Sequence, residues 1–198
     1  MDIAIITFDG FNELDSFISL GILNRMKKSG WRIAITSPSE SLTSMNGVHI
    51  CAPQLLEFAN HADAVLFGSG VRTRDIARDN QVLSRLHLNP QTQLIGWQCS
   101  GTLLMAVLGL LDQVPACTDL ATKPYLLELG LPVLEQAFYA EGNIATAGGC
   151  LSSQYLAAWV LGKLAGRSHA ESVIHYVAPV GEKEYTVKHC MSVVGKYL

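Results

Sequence analysis

Residues 94–111 read LIGWQCSGTLLMAVLGLL: an apolar strand over 94–97, one cysteine, a glycine two residues further on, then a long apolar helical run. A strand that ends on such a side chain and turns sharply into a helix lifts that side chain above the carboxyl edge of a sheet, as in a nucleophile elbow, here with cysteine in the key place. The amide groups opening the following helix present the positive end of its dipole, which favours a thiolate. Cys99 is therefore the candidate reactive centre, and Gly101 the residue that permits the sharp entry. The plainer alternative is a small buried hydrophobe, the commonest fate of a free cysteine.

Outward from this stretch, short apolar runs alternate with segments of helical period: residues 3–8, 14–26, 32–36, 64–67 and 94–97. That rhythm predicts an α/β fold with a mostly parallel sheet covered by helices. In the first βα unit Leu14, Phe17, Ile18, residues 20–23 and Met26 make one broad apolar side, and Lys27, Lys28 and Gly30 mark the helix end. Residues 48–51 read as a short additional strand and 55–59 as a short helix. Residues 137–140 and 144–146 read as two strands turning at Glu141-Gly142-Asn143. Ser152 or Ser153 caps a helix over 154–165, Gly166 ends it, and a further helix spans 169–176. The tail from Glu182 carries no assignment. No repeat or linker divides the chain, so a single domain over 1–198 is expected.

The balance of 14 Lys and Arg against 17 Asp and Glu, with no basic stretch interleaved with aromatics, predicts no nucleic-acid partner. The opening MDIAIITFDG lacks the basic region and cleavage site of a signal peptide. The longest apolar segment, residues 103–111, is about half the roughly 20 residues that cross a bilayer, so no membrane association is expected. The five cysteines, Cys51, Cys99, Cys117, Cys150 and Cys190, form no CxxC pair, which fits a reducing cytoplasm.

Two further segments bear on chemistry. FDGFNELD, residues 8–15, brings Asp9, Glu13 and Asp15 to the carboxyl end of the first strand, where open α/β sheets bind ligands. Two of these three acids are expected to be no more than loop residues or caps. LFGSGVRT, residues 66–73, places Gly68, Ser69 and Gly70 after a strand, where their N–H groups are candidates to face a substrate anion or oxyanion; the alternative is a plain glycine turn. Cys150, beside Gly148-Gly149 at a helix start, shares the dipole argument and reads as packing. The six histidines show neither metal-ligand spacing nor adjacency to Cys99, and no GxGxxG or P-loop pattern occurs. No metal and no cofactor are expected.

Taken together, GFNELD (10–15), GSG (68–70), WQCSG (97–101) and IATAGGCLSSQYLAAWVLGKLAG (144–166) resemble the ThiJ/PfpI superfamily, related to class I glutamine amidotransferase domains, over residues 2–179. The resemblance implies a flavodoxin-like, three-layer α/β/α sandwich and a homodimer. It implies Asp15 as the acid of the first-strand loop, Cys99 as nucleophile, and the Gly68–Gly70 turn with Ser100 as backbone oxyanion donors. Cysteine followed by a small hydroxyl residue and glycine is similar to the isonitrile hydratase branch and to the sensor-like domains of AraC-type regulators. The chain departs from the hydratase-like pattern at Lys123-Pro124-Tyr125, where that branch typically has a Thr-Thr-His-Trp-like stretch, and no helix-turn-helix domain is expected.

The resulting expectation is a cysteine-dependent hydrolase or hydratase of a small molecule. The Cys99 thiolate attacks an isonitrile, amide or imidate carbon, and Asp15, held protonated by burial, supplies and recovers the proton. The rivals are a redox or metabolite sensor that oxidises Cys99 and a catalytically degenerate scaffold.

Overall fold

A computed structural model describes residues 1–111 and 114–198. The elements follow in chain order: β1 (Asp2–Ile6), α1 (Glu13–Leu23), β2 (Arg32–Ser37), β3 (Ser41–Thr43), β4 (His49–Cys51), β5 (Gln54–Leu55), β6 (Ala64–Phe67), α2 (Thr73–Ile76), α3 (Asn80–Leu83), β7 (Leu94–Gln98), α4 (Thr102–Val107), α5 (Lys123–Glu128), β8 (Phe138–Glu141), β9 (Ile144–Ala147), α6 (Ser153–Ala165), α7 (Arg167–Val177) and α8 (Lys183–Val194). Seven strands form one sheet in the order β5-β2-β1-β6-β7-β9-β8, with every neighbouring pair parallel except β8 and β9. The chain leaves β1 toward β2 on one side and returns to β6 on the other. The order therefore reverses at β1/β6, where such sheets open a crevice at their carboxyl ends.

Both sheet faces are covered, which is why the central strands read as continuous apolar runs. Ile3, Ala64, Leu66 and Leu94 pack with Leu156, Trp159 and Val160 of α6 and with α1, α7 and α8. Their neighbours Ala4, Ile6, Val65, Phe67, Ile95 and Trp97 face the other way, against Leu56, Leu104 and Leu126. This two-residue alternation gives the three-layer α/β/α arrangement expected from the sequence.

Several local expectations are corrected. The α1 stripe turned to the sheet begins with Asp15, Ser16 and Ser19, and Leu14 is 47% exposed, because the first turn faces a polar crevice and only the later turns face the core. The apolar run after Cys99 stops being helical at Val107, two residues before Gly109 takes a φ of 69°. β4 pairs only with the unforeseen β3, as a hairpin outside the main sheet. The unassigned tail folds as α8, which buries Cys190, Met191 and Val194 against the α6 layer. No helix among the described residues is long and apolar enough to cross a membrane.

Candidate active site

β7 ends at Gln98 and the chain turns through Cys99–Gly101, a single 3-10 turn, into α4. Cys99 has a φ of 48°, the only positive value at a non-glycine position among the described residues. An L residue in that region is strained by about 1–3 kcal/mol, so its surroundings must hold it there. They do so on two sides. The Thr118 hydroxyl donates to the Cys99 carbonyl at 2.8 Å, and the Gln98 side-chain amide donates to the Gly149 carbonyl at 2.6 Å while lying 3.5 Å from the Cys99 sulfur. Gly101 has an ordinary helical φ of −54°. It is needed for a different reason: a Cβ there would sit 2.7 Å from the Gly68 carbonyl oxygen. The elbow is thus pressed against the end of β6.

Asp15 reaches the same place from α1. Asn12 caps that helix, accepting from the Leu14 amide at 3.1 Å, and the first turn carries the Asp15 side chain inward until it is 3% exposed. The Ser69 hydroxyl donates to Oδ2 of Asp15, while Oδ1 is buried without a partner among the described residues. A carboxylate oxygen of Asp15, Cys99 Sγ and Cys150 Sγ all lie within 4.8 Å of one another.

The electrostatics of this cluster follow from burial among like charges. Desolvation pushes the Asp15 carboxyl above its ordinary 3.8, against the pull of the Ser69 hydrogen bond and of the Cys150 and Cys99 thiols beside it. Desolvation also drives the Cys99 thiol far up, and the negative charges of Asp15 and Cys150 add to it. The Cys150 thiol rises for the same first reason, with Asp15 next. The expected dipole-stabilised thiolate is therefore corrected. Cys99 rests as a thiol, because burial disfavours its charged form and the acid beside it is close.

The other two acids are structural, as expected. Asp9 accepts from the Thr43 amide at 2.9 Å and pairs with Arg72 at 3.2 Å. Glu13 accepts from the Ser44 hydroxyl and, at 2.8 Å, from the Asn46 side-chain amide, tying α1 to the β3–β4 hairpin.

The glycine turn is corrected in part. The Gly68 amide donates to Ile6 at 3.0 Å and the Gly70 amide to the Thr73 hydroxyl at 3.2 Å, so both N–H groups are engaged within the protein. These positions are glycine because a Cβ would strike Ser16 Oγ at Gly68 and the Gly10 carbonyl at Gly70. The amides of Ser69 and Ser100 have no hydrogen-bond partner among the described residues.

A cavity of about 400 Å³ lies over the cluster, with Cys99, Cys150, Asn12, Ser100, Arg74 and Asp119 on its lining. Three larger hollows, about 480, 530 and 660 Å³, lie along α1, α7 and α8, away from Cys99 and Asp15. The open space over Cys99 weighs against a degenerate scaffold. Cys150, read as packing, in fact lines this cavity, and Asn12 donates to its sulfur at 3.1 Å. The sequence signal for it was a cysteine following the strand next to β7, at the same sheet edge. Two sulfurs and a carboxylate oxygen are a donor set for a soft metal ion, one ligand short of a closed tetrahedron, and no described histidine joins them.

No family model and no curated protein matches the chain. Solved structures do. Schizosaccharomyces pombe DJ-1 superposes with a TM-score of 0.77 at 17% identity, over 90% of this chain and 100% of that one. A ThiJ/PfpI family protein from Pseudomonas syringae gives 0.75 at 19% identity, over 98% of this chain and 88% of that one. Toxoplasma gondii DJ-1, in an oxidized form, gives 0.72 at 17% identity, over 89% and 97%. A mostly parallel sheet between two helical layers is what this chain has in common with them, and it has the fold of DJ-1 and of that ThiJ/PfpI family protein.

Proposed function

We propose that the protein is a ThiJ/PfpI-type, cysteine-dependent hydrolase or hydratase of a small molecule, similar to isonitrile hydratase, with Cys99 as nucleophile and Asp15 as its acid and base. The carrying observation is the buried Asp15 carboxyl beside the Cys99 sulfur on the floor of a cavity. With the thiol protonated at rest, attack and proton transfer must be coupled: Asp15 takes the sulfur's proton as the C–S bond forms. On an isonitrile, that proton ends on the attacked carbon. Water then adds to it, the C–S bond breaks, the sulfur regains a proton, and an N-substituted formamide leaves. The free amides of Ser69 and Ser100 are the candidates to hold developing charge, with Gly68 and Gly70 shaping the turn that presents them. The reading carries with it a cytoplasmic homodimer, checked by light scattering. A panel of isonitriles, amides and imidates, followed by product mass spectrometry, tests the chemistry. Turnover should vanish in Cys99→Ala and fall about 10²–10⁴-fold in Asp15→Asn; a panel on which the wild type is inert sinks the reading.

A second reading, a redox sensor, is favoured by one observation, the Cys150 sulfur within 4.8 Å of the Cys99 sulfur. A hydroperoxide would transfer its distal oxygen to Cys99 and leave as an alcohol or water. The Cys150 thiol would then condense with the sulfenic acid, forming a disulfide and releasing water. Peroxide treatment should then remove two hydrogens and link the two cysteine peptides, with no turnover of the carbon substrates.

A further inference from the structure

Among the described residues, Arg74 is the one cationic side chain on the lining of the Cys99 cavity. Four other arginines, Arg32, Arg72, Arg85 and Arg167, sit in ion pairs with Asp2, Asp9, Glu57 and Glu171, whereas Arg74 has no acidic partner among the described residues. Instead its guanidinium carbon lies 4.1 Å from the centroid of the Tyr125 ring. An aromatic face holds a guanidinium in place without consuming its N–H groups, which remain arranged as a rigid fork matched to a carboxylate. Asp119, also on the lining, does not quench this charge: its oxygens accept from the Ala121 and Thr122 amides at 2.9 and 3.0 Å and from the Thr122 hydroxyl at 2.8 Å. The wall beside Arg74 is polar, with the Thr73 and Ser100 hydroxyls 3.0 Å apart. Tyr125 belongs to the Lys123-Pro124-Tyr125 stretch. There Lys123 pairs with Glu135 at 2.5 Å and Pro124 opens α5, which carries the ring to Arg74.

We infer that Arg74, braced by Tyr125, is a subsite for an anionic group, so that the molecule presented to Cys99 is a small organic acid, its carboxylate on Arg74 and its electrophilic carbon over the sulfur. A cavity of about 400 Å³ sets the size. This inference rests on the enzyme reading above and names its substrate class.

Iodoacetate and iodoacetamide are nearly isosteric alkylating agents that differ in charge, which makes them a direct probe. The ratio of their rate constants at Cys99, with the labelled site located by mass spectrometry, is compared with the ratio for free glutathione. The wild type should favour iodoacetate over that reference, and Arg74→Gln and Tyr125→Ala should each lower the ratio about three- to tenfold. A ratio that Arg74→Gln leaves unchanged overturns the subsite. If Cys99 reacts with neither reagent, the enzyme reading fails and thermal unfolding decides the subsite alone. Pyruvate, but not pyruvamide, should then raise Tm in the wild type and not in Arg74→Gln; equal shifts, or none, overturn it.

Discussion

The Ser69 hydroxyl at the end of β6 donates a hydrogen bond to the Asp15 carboxylate in the first turn of α1, joining segments 54 residues apart where the strand order reverses. This contact leaves Asp15 with one satisfied oxygen and one bare one in a buried setting. The ionised carboxyl is therefore costly to hold there.

Stability should register that preference. Burial raises the Asp15 carboxyl above its ordinary 3.8, so its contribution is complete below that value and is lost as pH climbs through the raised one. Asp15→Asn keeps an oxygen for Ser69 and removes the ionisation. Its Tm should match the wild type in acid and exceed it by a few degrees at and above neutrality, measured by calorimetry across pH. An Asn variant less stable at neutral pH than in acid, relative to the wild type, would contradict the assignment.

Alkylation should follow the thiol. Because burial and the Asp15 charge push Cys99 up, its reaction with iodoacetamide should be slow at neutral pH and still accelerating beyond the range where an ordinary cysteine levels off. Asp15→Asn, by removing the neighbouring charge, should speed this alkylation severalfold while lowering turnover about 10²–10⁴-fold. The opposite signs of the two effects separate proton transfer from simple electrostatics.

Glycine substitutions should divide by their surroundings. Gly101→Ala sets a Cβ 2.7 Å from the Gly68 carbonyl oxygen, a backbone atom that cannot swing away, and should cost about 2–4 kcal/mol in urea unfolding. Gly21→Ala, inside α1 with nothing within 4 Å, should stabilise by about 0.5–1 kcal/mol.

Trp97 offers a test of the core beneath the elbow. Its ring is fully buried and stacked on Phe67 at 5.0 Å between centroids, yet its indole N–H has no partner among the described residues. Trp97→Phe loses volume but also an unsatisfied donor, so it should cost about 1 kcal/mol or less, against about 3–5 kcal/mol for Trp97→Ala.

The parts of the fold that the sequence made legible are those buried on both sides. β1, β6 and β7 are unbroken apolar runs, and the elbow follows from a cysteine and a glycine at the end of one of them. α8 was illegible because it buries few residues, Cys190, Met191 and Val194, within a largely polar segment. The apolar side assigned to α1 failed at Leu14 because the helix turns its polar residues into the crevice, which no periodicity of hydrophobic residues encodes. At the site, Cys99 was legible from its place at a strand end, whereas place alone left Asp9, Glu13 and Asp15 open and only the resemblance to the ThiJ/PfpI superfamily singled out Asp15. Cys150 belonged to the same edge, but the β7–β9 pairing that brings it there is a matter of topology. The dipole argument gave the wrong direction for Cys99 because local sequence shows the helix and not the carboxylate packed against it. The glycine turn was placed correctly, yet the Gly68 and Gly70 N–H groups answer to Ile6 and Thr73, partners invisible until the chain is folded.

The φ of 48° at Cys99 has a meaning for the history of the chain. Every other positive φ among the described residues belongs to glycine, and glycine at position 99 would at once relax the backbone and remove a buried thiol. A lineage selected only to persist at higher temperature would drift toward that glycine. A cysteine retained there is a liability to the folded state, and it marks position 99 as one where usefulness has outweighed durability.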